Sequence, residues 1–241
     1  MTPTPSIELS IVIPCRNEED TLADVLATAE AAIVRDHLRA EIIVADNGST
    51  DRSKEIAAAT SARVIDVPEP GYGNALMKGI EQSRGEFILM GDADGSYDFG
   101  ECARFLEQYR KGYSLVLGCR LPSGGGVIAP GAMPPLHQWV GNPLLSGLAR
   151  LLFPIGINDI YCGLRGFSRN HFEKMNLKRT GMEFAVEMIV ITARLKAPTI
   201  EIPITLSKDG RVNTRSHLRT FRDGFRTIAF LLYSRLMRQP T

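Results

Sequence analysis

The sequence predicts an α/β fold with a mainly parallel central sheet and helices on both faces. Three observations predict it. Short apolar, β-branched runs alternate with stretches of helical periodicity through the first half of the chain. Those runs end in polar or acidic residues, as strands do when they deliver side chains to a ligand at their carboxyl ends. A length of 241 residues with 44% hydrophobic and 23% charged content suits one globular core better than two.

Residues 9–14 (LSIVIP) are apolar, β-branched and closed by proline, the pattern of a buried strand. Asn17, Glu18, Glu19, Asp20 and Thr21 then supply an N-cap and first-turn acids for a helix whose apolar positions are Leu22, Val25, Leu26, Ala29 and Ile33. EIIVADNGSTD at 41–51 is a second strand running into a polar turn, with Asp51 placed to cap a helix through Ala59. VIDV at 64–67 is the third strand. GYGNALMKGIEQS at 71–83 is a glycine turn opening a helix, and EFILMGDADGS at 86–96 is a fourth strand ending in carboxylates. SLVLGCR at 114–120 is the fifth, followed by a Gly/Pro-rich stretch to Pro135 that reads as a mobile loop. Helical material from His137 to Phe153 precedes a turn-strand piece (NDIYCGLRGFSR), a helix (GMEFAVEMIVITARLK) and a strand (TIEIPITL). On that helix Glu183 and Glu187 share a face, as substrate-side or solvated charges.

Twenty-eight Lys and Arg against 27 Asp and Glu leave a net charge of +1, so the chain as a whole offers no electrostatic case for binding nucleic acid. The charge is unevenly placed. From residue 205 onward Lys208, Arg211, Arg215, Arg219, Arg222, Arg226, Arg235 and Arg238 meet only Asp209 and Asp223, a basic tail on a mildly acidic body. There Leu218, Phe221, Phe225, Ile228, Leu232 and Leu236 recur every three or four residues. The pattern fits a basic helix lying in a membrane interface, and equally a helix packed on the body with a basic outer face. Four scattered cysteines form no CxxC pair, so reduced thiols are expected rather than a zinc site or disulfides. Neither a signal peptide nor an apolar run of about 18 residues is present, so the chain is not expected to span a bilayer.

GDADGSYD places Asp92 and Asp94 two residues apart directly after an apolar strand, so both carboxylates emerge at the sheet edge while Ala93 turns away. Paired hard oxygens suit Mg²⁺ or Mn²⁺, which complete their shells with water and substrate phosphates. An acidic turn is the competing reading. Asp46 ends an earlier strand of the same sheet and can accept hydrogen bonds from a nucleobase, whereas Ser49 and Asp51 fit a local turn. Gly71-Tyr72-Gly73 precedes a helix but Leu76 stands where a dinucleotide fingerprint needs its third glycine.

Taken in order, IVIPCRNEEDTL, IIVADNGSTD, GYGNALMKG, GDADGSYD, GCR, DIYCGLRGFSR and RVNTRSHL resemble the motifs of family 2 glycosyltransferases with the GT-A fold. Within that family the chain is most similar to the polyprenyl- or dolichyl-phosphate sugar synthases, over residues 9–230. The resemblance implies a catalytic GT-A domain over 1–215 and a membrane-interface helix over 216–241. It places Pro14, Asn17, Glu18 and Gly73 around the nucleoside, Asp46 on its base, and Asp92 and Asp94 at the ribose and the Mg²⁺ or Mn²⁺ ion, Asp94 being the direct ligand. Arg120 and Arg211 would face phosphates as catalytic cations. Asp159, Arg165 and Arg169 would line the acceptor and sugar side, with Asp159 either a base or the partner of an arginine. Ser216, His217 and His137 would meet the acceptor or its phosphate.

Departures from the family pattern are Arg16 for the usual aromatic, Asp46-Asn47 for the common Asp-Asp, Ser96 two residues after Asp94, and His217 for a late lysine. The implied activity is inverting transfer of a sugar, UDP-hexose before GDP-mannose, to polyprenyl phosphate at the cytoplasmic membrane face. The implied protein is peripheral, with a small integral membrane subunit as a further partner. A saccharide or soluble acceptor, or a non-catalytic nucleotide-sugar-binding subunit, are the rivals.

Overall fold

The computed structural model describes residues 6–181, 183–212 and 220–236. Its first half alternates as expected: β1 (Leu9–Cys15), α1 (Leu22–Arg35), β2 (Ala40–Asp46), α2 (Ser53–Ala58), β3 (Arg63–Asp66), α3 (Tyr72–Gln82) and β4 (Phe87–Met90). The second half holds α4 (Cys102–Arg110), β5 (Leu115–Cys119), β6 (Val127–Ile128), α5 (Asn142–Leu152), β7 (Arg165–Ser168) and α6 (Arg169–Met175). It ends with α7 (Glu183–Arg194), β8 (Thr199–Pro203), β9 (Thr205–Leu206) and α8 (Thr220–Leu236).

Seven strands form one sheet in the order β3-β2-β1-β4-β7-β5-β8. All pairs are parallel except those of β7, which runs antiparallel to both β4 and β5. The reversed strand sets Arg165 opposite Met90, at the carboxyl end of β4, and Ser168 opposite Phe87, at the other end.

Period-2 alternation in the strands divides the core between two helical layers. Ile11, Ile13, Ile42, Val44 and Leu89 face Leu22, Val25 and Leu26 of α1 and Phe105 and Leu106 of α4. Val12, Ile43, Ile88, Leu115 and Leu117 face the other way, against Leu76 and Ile80 of α3, Ala149 of α5 and Phe184 and Met188 of α7. The four cysteines are buried and unpaired, and burial lifts their thiols to about 11 or 12.

Three details differ from expectation. The acids before α1 are not its first turn: the helix starts at Leu22, and Thr21 at its cap spends its hydroxyl on the carbonyl of Ala93 at 2.7 Å. The Gly/Pro-rich stretch expected as a mobile loop carries β6, which pairs with β9 and ties the stretch to the body. Finally, α8 packs on α5 and α7 through Thr227, Leu231 and Ser234, while Phe225, Leu232 and Leu236 of the predicted apolar stripe stay exposed. The anticipated boundary at 215/216 lies outside the described residues.

Candidate active site

The parallel strands bring Asp46, Asp92 and Asp94 to one edge of the sheet. Asp46 is 1% exposed. Its Oδ2 accepts the N–H groups of Gly48 and Ser49 at 3.1 Å and lies 3.4 Å from Lys54 Nζ. Its Oδ1 is buried with no hydrogen-bond partner. The carboxylate thus builds the local turn with one oxygen and keeps the other, a buried acceptor that is costly to leave unpaired. Asn47 is committed elsewhere, donating to Val67 and Glu69 carbonyls and accepting from Gly71 N.

Asp92 Oδ1 accepts the Tyr72 hydroxyl proton at 2.9 Å. Burial, and then the charge of Asp94, push the Asp92 carboxyl up to about 6. Asp94 Oδ1 accepts both the N–H and the hydroxyl of Ser96, at 2.9 and 2.6 Å, and Asp94 Oδ2 lies 3.3 Å from Arg211 Nη1. The two carboxylates offer only hard oxygens, and their mutual repulsion is what a divalent cation relieves, so the pair fits Mg²⁺ or Mn²⁺. No cluster of three or more His, Cys, Asp or Glu able to hold a metal occurs among the described residues.

Arg211 closes the site from above. Its guanidinium makes a two-point contact with Glu18 at 2.7 and 2.5 Å and meets Asp209 at 2.8 Å. Burial holds the Glu18 carboxyl above its ordinary value, against the pull of Arg211. Asn17, in the left-handed region at φ 57°, accepts the Thr50 N–H at 2.8 Å and so ties the β1 turn to the β2 turn. Pro14 sits half-buried in β1 beside Ala45.

At the end of β5 the Arg120 guanidinium grips Asp159 with two bonds, Nε to Oδ2 at 2.7 Å and Nη2 to Oδ1 at 2.8 Å. Its third edge points Nη1 at the Tyr97 hydroxyl, 3.4 Å away. Asp159 is fully buried, and although burial opposes its charge, Arg120 holds its carboxyl below the usual range. Glu201 of β8 fixes this pair by accepting the N–H groups of Asn158 and Asp159, each at 2.8 Å.

Of the two readings of Asp159, the contacts match the partner of an arginine. Several other expected contacts are corrected. Arg165, expected at the acceptor phosphate, is fully buried and spends its donors on the carbonyls of Ile160, Cys162 and Ala185. The reversal of β7 carries Arg169 to the opposite sheet edge, where it binds Gly85 O and Ser83 Oγ. Gly73, expected at the nucleoside, gives its N–H to Thr180 O at 2.9 Å, and a Cβ there would lie 2.7 Å from Arg179 O, so this glycine serves close packing. His137 is half-buried in the helical turn before α5, with nothing among the described residues linking its ring to the carboxylates. Ser216 and His217 lie outside the described residues. Glu187 is a buried acceptor for the N–H groups of Lys178 and Arg179, and Glu183 pairs with Arg226 at 2.6 Å.

Sequence reading passed over Tyr72, Tyr97, Asp209 and Glu201. Tyr72 and Tyr97 carried a signal, each being an aromatic within a glycine-containing turn, Gly71-Tyr72-Gly73 and Gly95-Ser96-Tyr97. Glu201 carried none, because its partners Asn158 and Asp159 are 43 and 42 residues away in sequence. Asp209 stands two residues from its partner Arg211, a spacing too common to single it out.

The sequence matches the family model of glycosyl transferase family 2 over residues 10–175, the segment that supplies β1 to β7 and Glu18, Asp46, Asp92, Asp94 and Asp159. The chain belongs to glycosyl transferase family 2. Among its relatives is the low-salt glycan biosynthesis hexosyltransferase Agl6 of Haloferax volcanii, 42% identical across 93% of this chain and 53% of Agl6. The chain therefore spans about half the length of that relative. The dolichyl-phosphate hexose transferase of the same organism is 29% identical over 82% of both chains. Of solved structures, the glucosyl-3-phosphoglycerate synthase of Mycobacterium tuberculosis, in complex with Mn²⁺, UDP and phosphoglyceric acid, superimposes with a TM-score of 0.67 at 24% identity, covering 97% of this chain and 80% of that one. The family 2 chain has the GT-A fold.

Proposed function

We propose that this family 2 chain carries out metal-assisted, inverting transfer of a hexose from a nucleoside diphosphate sugar, UDP-hexose before GDP-mannose, to polyprenyl phosphate at the cytoplasmic face of a membrane. The observation that carries the reading is the arrangement of charge along one sheet edge: Asp92 and Asp94 at the end of β4, Arg120 at the end of β5, and Arg211 across the top.

Asp46 receives the base, its buried Oδ1 taking an N–H of the ring. Asp94, with Asp92 beside it, holds the divalent ion. When bound, that ion supplies charge neutralisation for the departing nucleoside diphosphate. Arg120, fixed by Asp159 and Tyr97, is a preorganised cation for phosphate, and Arg211, anchored on Glu18, is held where a second phosphate contact forms. A lipid phosphate is already ionised at pH 7 and attacks without a general base. The locking of Asp159 by Arg120 favours such an acceptor over a saccharide hydroxyl, which needs a carboxylate to take its proton. A single displacement inverts the anomeric configuration.

The surface supports the membrane part of the reading. Leu136, Val140, Leu144 and Leu151, spaced by four, four and seven residues, form an exposed apolar stripe along α5 and the turn before it, with Trp139 65% exposed beside them. Phe225, Leu232 and Leu236 expose a second stripe on α8, with Arg226 and Arg235 on the same helix and Arg150 on α5. Apolar burial and attraction to anionic lipid, about 1 kcal/mol per basic residue near the surface, then act together. No helix among the described residues is long and apolar enough to cross a membrane. A small integral membrane subunit is the alternative occupant of the stripes.

The test is transfer from radiolabelled UDP- and GDP-sugars to a short polyprenyl phosphate in detergent, with Mg²⁺ or Mn²⁺ and with Asp94→Ala as control. The expected result is a metal-dependent lipid product absent in the variant. Donor binding without lipid product, even with native membranes added, overturns the lipid-acceptor reading.

A further inference from the structure

The segment after β9 is strapped across the carboxylates. Ser207 N donates to Ser96 O and Gly210 N to Asp94 O, both at 2.9 Å, and Val212 N reaches Asp20 Oδ2 at 3.0 Å. These bonds hold Arg211 over the site with a side chain only 11% exposed. Its contacts are unequal. Glu18 is gripped at two points at 2.7 and 2.5 Å, while Asp94 is touched once, at 3.3 Å, by the same Nη1 that Asp209 holds at 2.8 Å. One guanidinium therefore faces Glu18, Asp94 and Asp209, with Asp92 beyond Asp94, so the cluster keeps an excess of negative charge that a single positive group does not cancel.

Resting on the assignment of Asp94 as metal ligand, we propose that Arg211 is the resident counter-ion of the metal site, which a divalent ion must displace from Asp94 and which then turns its freed edge to the donor diphosphate. The long, single bond to Asp94 is the one that breaks. The two-point bond to Glu18 survives and keeps the guanidinium at the site. Binding thereby acquires an order. Before the ion arrives, Arg211 is saturated by carboxylates and offers an incoming diphosphate little net attraction. After it, Asp94 belongs to the ion and one N–H of Arg211 Nη1 is released, the other staying on Asp209. Arg211 in this way couples ion occupancy to nucleotide affinity beyond direct contact between ion and phosphate.

The test is Mn²⁺ titration of the full chain without nucleotide, reading the free-ion signal by electron paramagnetic resonance, for the parent, Arg211→Gln, Arg211→Lys and Asp94→Asn, with circular dichroism confirming the fold of each. Removing a competing ion pair worth ~1 kcal/mol should make Arg211→Gln bind Mn²⁺ about fivefold more tightly. Arg211→Lys keeps a positive charge on the strap and should stay within about twofold of the parent, since the competition is one of charge. Unchanged or weaker binding by Arg211→Gln overturns the proposal. Equal tightening by Gln and Lys also overturns it, because both lose the two-point grip on Glu18 and the effect would come from a loosened strap. Asp94→Asn should lose binding; if it binds Mn²⁺ as the parent does, the metal assignment itself fails, an outcome distinct from failure of the Arg211 inference.

Discussion

The Tyr72 hydroxyl donates to Asp92 Oδ1 across 2.9 Å, joining the first turn of α3 to the end of β4. One oxygen of Asp92 is fixed by a neutral donor, and the carboxylate's aim is set by a half-buried ring packed in the sheet-helix seam.

Replacing Tyr72 by Phe removes that donor and little volume. Mn²⁺ and UDP affinity should each fall about three- to tenfold, the net worth of one ordinary hydrogen bond, with the melting temperature nearly unchanged. Isothermal titration calorimetry reads it, and unaltered affinity would show that Asp92 needs no such support.

Asp159→Asn tests whether this carboxyl positions Arg120 or removes a proton. A positioning role predicts a loss of about tenfold or more in turnover with the shape of the pH–rate profile retained, because Arg120 loses its two-point partner. Disappearance of the acid-side limb would identify Asp159 as a base.

Arg165 satisfies buried carbonyls, no carboxylate among the described residues is bonded to it, and burial lowers its pKa from the ordinary arginine value. Arg165→Met strands those carbonyls, and Arg165→Lys lacks the planar fork that reaches them. Both should destabilise the fold by roughly 2–4 kcal/mol in urea titrations. Loss of transfer with unchanged stability would restore Arg165 to the substrate side.

His171 is buried with Nε2 2.8 Å from Thr192 Oγ1, whose own proton points to Met175 Sδ. Burial depresses the imidazole to about 4 from 6.5. Because the folded pKa is the lower one, protonation favours the unfolded chain. The contribution to stability is complete above pH 6.5 and is lost as pH falls toward 4. Denaturation midpoints at pH 7 and pH 5 should therefore differ less in His171→Gln than in the parent.

Leu144→Asp with Leu151→Asp places charge in the exposed stripe of α5 without touching the buried face formed by Leu145, Ser146 and Ala149. Sedimentation with anionic vesicles should fall several-fold while transfer to a water-soluble short-chain acceptor persists. Retained sedimentation would remove this stripe from the membrane contact.

How far the sequence could be read depended on whether a residue's fate was decided locally. Ile11, Val12 and Ile13 form a β-branched run that is apolar on both sides, and only a covered strand accommodates it. Asp92 and Asp94 leave such a strand together whatever the rest of the chain does. The direction of β7 was not local information: four residues, Arg165–Ser168, carry no mark of running antiparallel, and that direction alone moves Arg169 to the far edge. Arg165 and Gly73 were misplaced for a related reason. A basic side chain beside a turn, or a glycine at a helix start, looks the same whether its partner is a phosphate or a backbone carbonyl. On α5 both helical faces are apolar, so periodicity could not say that Leu145 and Ala149 face inward while Leu144 and Leu151 face out.

The reversed β7 also decides where variation is cheap. β5 leaves the sheet at the carboxyl edge and β7 enters at that same edge, so residues 121–164 form a closed excursion whose two ends sit on neighbouring strands, Leu117 opposite Arg165, about 5 Å apart. The excursion leaves and returns at the reactive edge, carrying the loop bearing Asp159, while Met133 packs into the core on one face of the sheet and Ala149 on the other. Variation there is cheap only at outward residues such as Leu144 and Leu151, because Asp159 on Arg120, β6 on β9 and Ala149 in the core tie the rest of the excursion to the body.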